Sequence, residues 1–344
     1  MHCRWTSDRL PYDSSVNSAS FSTRGSRRSS GRFWRQVRRL LPLTLAVVVL
    51  TPVLLGANAV WNYLRIDRVD LGSATSSAAG RSGANLLLVG IDSRSGIDPS
   101  DPNASAFLGE NVSGSRTDTI IVVHSDHGAV SLVSIPRDLW VTDPAAGEKG
   151  RLNSTFEAGP ENLVRAVVAL GVPIDHYAEV DFNGFAGIVD SVGGVTLNFP
   201  APAKDDHSGL SVMRAGRVLL NGHEALAYVR SRYYSELVDG SWRTDGTSDI
   251  GRTSRQRAFF AALGTAVTGT RSPLVLARFP GAVRSGINLD EGFSIMDLLS
   301  LFADLRGDAP TGETLPVVPR VTSGGADVLE LGPGAEQVIS RLAR

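Results

Sequence analysis

Residues 117–135 read TDTIIVVHSDHGAVSLVSI, and this stretch decides the fold. Two runs rich in β-branched residues, 117–125 and 129–135, flank Asp126-His127-Gly128, which is a typical turn sequence. The pattern predicts an antiparallel hairpin. Such a hairpin returns the chain, so the start of its first strand and the end of its second strand meet at one edge of a sheet.

Charged residues collect at this predicted edge. The hairpin brings together Arg116, Asp118, Arg137 and Asp138. Asn85–Ile91 (NLLLVGI) is a continuous apolar run, typical of a strand buried on both faces, and it leads into Asp92 and Arg94. If that strand lies beside the hairpin with its carboxyl end at the same edge, Asp92 and Arg94 join the cluster.

Helical and strand patterns alternate through the rest of the chain. Strands are predicted at 176–180, 195–199, 314–319 and 327–331, and helices at 161–170, 182–192, 274–283, 292–305 and 335–343. This alternation indicates the α/β class, as a single domain with a central, mostly antiparallel or mixed sheet between helices.

Residues 220–263 hold two further predicted helices whose facing ends carry arginine. The first has Asn221 as N-cap with Glu224 three residues on, the spacing of a capping box, and ends at Arg230 and Arg232. The second is predicted to start with Asp249 as N-cap. Five of its residues, spaced i, i+3, i+4, i+7 and i+11, share one face: Arg252, Arg255, Gln256, Phe259 and Leu263.

This stripe passes from ionic to apolar side chains. Guanidinium groups fit phosphate oxygens two at a time, and a helix N-terminus adds free N–H groups and partial positive charge. The stripe therefore suits a ligand with an anionic head and an apolar tail. The alternative is that each arginine only complements a helix dipole or lies on a solvated surface.

The amino terminus differs sharply in composition from the rest. Residues 1–39 contain nine Arg and two Asp, a charge of +7, so with a total of −1 the remainder carries −8. Residues 40–64 contain no charged side chain, and Trp61 and Tyr63 lie where an interfacial belt would fall. We therefore expect a disordered cytoplasmic tail at 1–39, a transmembrane helix at 40–64, a linker at 65–84 and an extracytoplasmic domain at 85–344.

Two observations qualify this layout. Ala57-Asn58-Ala59 has the form of a signal-peptidase site, so a cleaved leader is the alternative to a retained anchor. Cys3 is the only cysteine, so the domain beyond residue 64 has no disulfide, cysteine metal site or cysteine nucleophile. The basic tail adjoins a predicted membrane span and contains no folded nucleic-acid-binding motif. We therefore expect anionic lipid as its partner and do not expect it to bind nucleic acid.

Several ordered motifs resemble those of the LytR-CpsA-Psr family of cell-wall enzymes over roughly residues 85–331. They are LLLVGIDSR, RTDTIIVVHSD, VSLVSIPRDLWV, RLN at 151–153, PIDHYAEVDFNGFAGIVDSVGGV, LNGHEALAYVRSR and DIGRTSRQ. The loop after residue 230 resembles actinobacterial members. Arg257 is a departure, since the family often repeats glutamine after the position of Gln256.

The resemblance implies a phosphotransferase. It would move a glycan phosphate from a polyprenyl-pyrophosphate carrier to a muramic acid hydroxyl of peptidoglycan, with the lipid tail inside the fold and Mg²⁺ (or Mn²⁺) at the pyrophosphate. By position, Asp92 and Asp118 resemble the metal ligands, and Asp92, Arg116, Asp118 and Arg137 the catalytic set. The pyrophosphate cradle would comprise Arg94, Arg116, Arg137, Arg230, Arg232, Arg252, Arg255 and Gln256.

Three points stay open at this level. Either Asp92 or Asp118 could accept the proton of the acceptor hydroxyl. The glycan could be arabinogalactan, a teichoic acid or a capsule. Hydrolysis of the same pyrophosphate, or non-catalytic binding of the lipid-linked glycan by a signalling anchor, are the alternative functions.

Overall fold

The computed structural model describes residues 50–75, 83–91, 117–246, 248–270, 272–305 and 310–344. Its contacts divide the chain after Val53, and the following account concerns the unit Leu54–Arg344. Asp92, Arg94 and Arg116 lie outside the described residues, as does the predicted tail at 1–39. For Asp118 the backbone is described and the side chain is not.

The secondary structure alternates along the chain as predicted. The strands are β1 (Arg68–Val69), β2 (Ala84–Ile91), β3 (Thr117–Asp126), β4 (Ala129–Ser134), β5 (Trp140–Thr142), β6 (Lys149–Arg151), β7 (His176–Asp181), β8 (Val195–Phe199), β9 (Ala203–Asp205), β10 (Leu210–Val212), β11 (Gly216–Leu220), β12 (Ser235–Val238), β13 (Ser241–Thr244), β14 (Ile287–Asp290), β15 (Thr311–Thr314), β16 (Val317–Val321) and β17 (Asp327–Leu331). The helices are α1 (50–63), α2 (Pro160–Ala169), α3 (Phe182–Ser191), α4 (Gly222–Arg230), α5 (Ser248–Gly269), α6 (Pro273–Gly286), α7 (Ile295–Asp304) and α8 (Ala335–Leu342), with a 3-10 helix at Leu152–Ala158.

A seven-stranded mixed sheet forms the centre, in the order β1-β14-β7-β2-β3-β4-β15. The pairs β1–β14, β7–β2 and β4–β15 are parallel, and the pairs β14–β7, β2–β3 and β3–β4 are antiparallel. This confirms the predicted α/β class with a mixed central sheet. The predicted β3–β4 hairpin is confirmed too, with positive φ at His127 (44°) and Gly128 (90°), as a tight turn between twisted strands requires.

The two faces of the sheet have different surroundings. On β2, Leu87 and Val89 are fully buried in a solid core shared with α2 and α8. Leu86 and Leu88 point the other way and line a cavity. The prediction that this strand is buried on both faces is therefore only partly right, because its second face borders a cavity rather than packed side chains.

Part of the predicted linker at 65–84 is wrong. Arg68–Val69 forms an edge strand paired with β14, and Ile66 and Leu71 are buried. Tyr63 is also buried, and its hydroxyl donates to the Phe293 carbonyl. Backbone pairing and apolar burial at 66–74 therefore make this segment part of the folded unit.

The predicted membrane span at 40–64 begins before the first described residue. Among the described residues, no helix combines the length and the apolar character that crossing a bilayer would need.

Helix α3 packs tightly against two neighbouring helices. A Cβ placed on Gly184 would lie 2.2 Å from the Gly286 Cα at the end of α6, and one on Gly222 would lie 2.3 Å from the Ala186 carbonyl oxygen. Both α3 and α6 contribute walls to the cavity, so these glycine contacts set its width.

Candidate functional site

A cavity of about 760 Å³ lies between the sheet and the helices that cover this face. Its floor comes from the strands β2, β3, β4 and β7, and its walls come mainly from α3, α5, α6 and α7. The apolar lining includes Leu86, Leu88, Val123, Val130, Leu132, Ala178, Val180, Phe185, Phe260, Leu263, Val267, Phe279, Val283, Leu298 and Leu301. A channel of this size and lining is suited to a long hydrocarbon chain.

Arginine side chains from three parts of the chain line the same cavity. Arg137 follows β4, Arg230 ends α4, Arg232 lies two residues beyond, and Arg252 is on the first turns of α5. All four are half-buried. The structure therefore brings together four of the arginines that the sequence placed in an anion-binding cluster.

Local contacts hold two of these arginines. The Arg230 Cζ lies 4.2 Å from the centre of the Phe182 ring, at the start of α3. The Arg137 Nε lies 3.6 Å from Asp138 Oδ2, and the Arg137 carbonyl accepts a 3.0 Å hydrogen bond from the Asn153 amide. Asp138 also lies 3.6 Å from the Arg151 Nε, so its carboxylate contacts two arginines.

Gln256 also lines the cavity, on the same helix as Arg252. Its side-chain amide donates to Thr119 Oγ1 (3.3 Å) and to the Val229 carbonyl (3.2 Å). Gln256 thus links α5 to β3 and to the end of α4, and so fixes the spacing between Arg252 and Arg230.

Arg255 does not line the cavity. It is buried behind it, where Nη2 donates to the Ser231 carbonyl (2.7 Å), Nη1 contacts Asp245 Oδ2 (3.3 Å), and Cζ lies 4.6 Å from the Tyr234 ring centre. The structure therefore places it as a support for the segment that carries Arg230 and Arg232. Its position in the predicted pyrophosphate cradle is corrected accordingly.

The face of α5 that lines the cavity differs from the predicted face by a rotation about the helix axis. The cavity side consists of Arg252, Gln256, Phe260, Leu263, Gly264 and Val267. Phe259 is fully buried on the adjacent side, against Phe185 at a ring distance of 5.0 Å. Asp249 is the second residue of the helix, so the prediction that it is the N-cap is wrong.

Arg257, the departure from the family pattern, has a structural role. Its Nη1 donates to the Gly312 carbonyl on β15 (2.5 Å) and its Nη2 to Ser254 Oγ (2.8 Å). It fastens α5 to the edge of the sheet and is absent from the cavity lining.

Asp205, at the end of β9, is a residue of the cavity lining that the sequence did not predict. Its Oδ2 accepts from Ser231 Oγ (2.7 Å) and from the amides of Arg232 (3.0 Å) and Tyr233 (2.9 Å). Its Oδ1 accepts from the amide of His207 (2.9 Å). The Asp-Asp-His-Ser-Gly sequence gives a local turn signal, but it does not reveal a partner 26 residues away.

The carboxylate of Asp205 is strongly stabilised. Burial opposes its ionisation, but the hydrogen bonds from Ser231 and from the amides of Tyr233, His207 and Ser208 outweigh burial and lower its pKa below the ordinary value. Asp205 therefore holds, as an anion, the turn from which Arg230 and Arg232 enter the cavity.

We expect Asp205→Asn to reduce the free energy of unfolding at pH 7 by about 2–4 kcal/mol. Both carboxylate oxygens of Asp205 accept hydrogen bonds, and in asparagine an NH₂ group would replace one of these oxygens and face the N–H or O–H donors that it now binds. The stabilisation that the Asp205 carboxylate provides is fully present above the pKa that this group has in the unfolded chain. It is lost as pH falls below about 4. Thermal denaturation at pH 7 and pH 3 checks both statements. Asp206→Asn, next in sequence and exposed, should behave as wild type; equal losses in the two variants would contradict the role of Asp205.

The backbone places one of the two predicted metal ligands, Asp118, beside the end of a neighbouring strand. The β2–β3 register passes from Gly90–Thr119 to Ile91–Thr117, so Asp118 is the extra residue of a β-bulge directly beside the end of β2. Asp92 is the next residue after that end. Bulges redirect side chains at sheet edges, and carboxylates are the hard oxygen ligands that Mg²⁺ prefers, so this donor set fits the ion.

Comparison with known proteins decides the family. The model of the LytR_cpsA_psr family matches residues 62–329. The chain belongs to the LytR-CpsA-Psr family. This range contains the four arginines that line the cavity and the whole central sheet, so the family match and the observed cavity concern the same part of the molecule.

Individual LytR-CpsA-Psr relatives agree with this assignment. The chain is 34% identical over 290 residues to "Probable cell wall biosynthesis protein LcpB" of Corynebacterium glutamicum, covering 81% of this chain and 65% of LcpB. It is 29% identical to "Polyisoprenyl-teichoic acid--peptidoglycan teichoic acid transferase TagV" of Bacillus subtilis, covering 60% of this chain and 54% of TagV. It thus spans less than two thirds of the length of either relative.

A solved structure shares the LytR-CpsA-Psr fold. The "LytR-Csp2A-Psr enzyme from Actinomyces oris" superposes with a TM-score of 0.64 at 28% identity, covering 81% of this chain and 96% of that one. Both the Corynebacterium and the Actinomyces proteins are actinobacterial, as the sequence of the loop after residue 230 predicted.

Proposed function

We propose that this protein transfers a glycan phosphate from a polyprenyl-pyrophosphate carrier to a muramic acid hydroxyl of peptidoglycan. The observation that carries the proposal is a single cavity with half-buried arginines at its polar part and an apolar lining over the rest. That arrangement matches an anionic diphosphate joined to a long hydrocarbon. Family membership and the transferase activity in the name of TagV support the same reaction.

The arginines would act by binding and orienting the diphosphate. In phosphoryl transfer the acceptor hydroxyl attacks the phosphorus that bears the glycan, the bond to the bridging oxygen breaks, and polyprenyl phosphate leaves. Positioning and charge neutralisation dominate the catalysis of such a step. Arg137, Arg230 and Arg252 come from separate elements, so they can contact the diphosphate from different sides.

We propose Asp92 and Asp118 as the ligands of Mg²⁺ (or Mn²⁺). The ion would supply further neutralisation of the diphosphate charge. One of the two aspartates would accept the proton of the acceptor hydroxyl, and either could serve. Arg94 and Arg116 would be further ligands of the diphosphate, as the family resemblance implies.

We further propose that residues 40–64 anchor the protein in the cell membrane, with 1–39 in the cytoplasm and the catalytic domain outside. The charge difference across the uncharged run supports this orientation. The substrate's lipid and the peptidoglycan acceptor both fit this location.

The purified full chain should join the glycan of a polyprenyl-pyrophosphate donor to peptidoglycan through a phosphodiester, as detected by mass spectrometry after muramidase digestion. Chelation with EDTA should abolish product formation and added Mg²⁺ should restore it. Release of free glycan phosphate with ample acceptor present would instead show a pyrophosphatase. Donor binding without turnover at any divalent metal would show a binding protein.

A further inference from the structure

Two helices that line the cavity also carry exposed apolar side chains. On α6, Leu276, Pro280 and Val283 are spaced i, i+4 and i+7 and so share one face. Pro280 and Val283 line the cavity, while Leu276, one turn further out, is 43% exposed. On α7, Leu299 lines the cavity and is nevertheless 54% exposed. The apolar wall of the cavity thus continues to the protein surface.

This surface lies away from the arginines. The end of α6 meets α3 at the Gly286–Gly184 contact, two residues from Phe182, on which Arg230 stacks. Leu276 is ten residues back along α6, which at 1.5 Å per residue is roughly 15 Å from that contact. The cavity therefore has its polar part near one end of α6 and exposed apolar side chains near the other end.

Helix α1 lies near the exposed apolar side chains of α6. Asn58 Nδ2 donates to the Ala277 carbonyl (2.9 Å), so α1 runs beside the first turns of α6. Ala59 and Tyr63 of α1 line the cavity as well. Residues 58–63 of α1 therefore lie beside the exposed start of α6.

Charge along this part of the chain favours an anionic surface as the partner. Helix α6 carries two exposed arginines, Arg278 and Arg284, and no aspartate or glutamate. Arg278 is exposed on α6 beside Leu274 and Leu276. Exposed leucines combined with arginines on a short helix are typical of segments that lie in a membrane interface. The two aspartates of α7 are engaged, Asp297 with Ser294 and Asp304 with Ser125 and Gly128.

We propose that the apolar border, defined as Leu274 and Leu276 of α6 and Met296 and Leu299 of α7, rests in the outer surface of a lipid bilayer that contains anionic headgroups. Its side chains are 57%, 43%, 68% and 54% exposed. Seating them in the bilayer removes this apolar surface from water and brings the cavity wall into continuity with the hydrocarbon. Lateral passage of a substrate's lipid tail into the cavity then follows, a consequence that rests on the proposed function; the docking itself does not.

The test places a fluorescent reporter at this border in the full chain. Cys3, the only native cysteine, is changed to serine, and Leu276→Cys is labelled with an environment-sensitive fluorophore. The matched control is Leu219→Cys on β11, a leucine that is 55% exposed and absent from the cavity lining. Both proteins are reconstituted in vesicles of phosphatidylcholine and phosphatidylglycerol, with and without lipids that carry a nitroxide on the acyl chain.

Docking predicts that the Leu276→Cys label emits at shorter wavelength and is quenched by the nitroxide lipids, while the Leu219→Cys label emits as in water and is quenched by soluble iodide. Met296→Cys repeats the measurement on α7 should the first variant fold poorly. Iodide quenching of both border labels, equal to that of the control, would overturn the proposal. A blue-shifted border label that nitroxide lipids do not quench would also overturn it, because protein would then cover the surface. The readout is independent of transferase activity, so failure of the proposed reaction would leave it unchanged.

Discussion

Replacing Arg230 with alanine is expected to lower the rate of glycan transfer by about 100- to 1,000-fold, the loss found when one preorganised donor to a developing oxyanion is removed. Arg230 ends α4, lines the cavity and stacks on Phe182 at 4.2 Å. Stacking limits the orientations of the guanidinium plane, so its donors are aimed before substrate arrives. Initial rates with the lipid-linked donor and peptidoglycan measure the effect.

Lysine at position 230 separates charge from geometry. Arg230→Lys keeps the positive charge but loses the planar fork and most of the stacking, so we expect an intermediate rate. Arg217→Ala is the control, since Arg217 is exposed on β11 and does not line the cavity. It should retain the wild-type rate. A wild-type rate in Arg230→Ala would remove Arg230 from the proposed site, and Arg137→Ala would then show whether any of the cluster contributes.

Gly184→Ala should cost about 2–3 kcal/mol of unfolding free energy or more, because the added methyl group meets backbone and not a movable side chain. Its Cβ would lie 2.2 Å from Gly286 Cα and 2.3 Å from the Gly286 carbonyl oxygen. Relief requires α3 and α6 to separate, which also widens the cavity between them. Denaturant unfolding of the purified protein measures the loss.

The same helix supplies a matched control for this change. Gly187 is also within α3, and a Cβ built there has no neighbouring atom within 4 Å. Gly187→Ala should therefore be stabilising by about 0.5–1 kcal/mol, the usual gain from replacing glycine within a helix. If both variants lost stability equally, a general sensitivity of α3 to substitution would explain the result, and the interhelical contact would not.

Local sequence patterns were enough for most of the secondary structure and for part of the site. The capping box at Asn221 and Glu224 forms as predicted, with hydrogen bonds of 2.9 Å in both directions. The hairpin likewise forms with its turn at His127-Gly128. These predictions succeeded because each depends on interactions between residues a few positions apart, whose geometry is the same in any fold.

Predictions that depended on the exact direction of a side chain were less accurate. Adjacent positions of α5 differ by about 100° around the helix axis, so a periodic stripe could include Arg255 and Phe259 as readily as Phe260. Packing against Phe185 and Tyr234 decides between them. Asp205 was missed for a related reason, because its partners come from a turn far along the chain.

The family, the mixed α/β class and the arginine-rich segments could be predicted from motif order, hydrophobic period and composition. Three features required the folded molecule: which arginines face the cavity, the contact of Asp205 with the turn beside them, and the place of residues 66–74 in the sheet and core. The physical reason is that burial and long-range hydrogen bonds depend on which surfaces pack together, and local sequence patterns do not specify that packing.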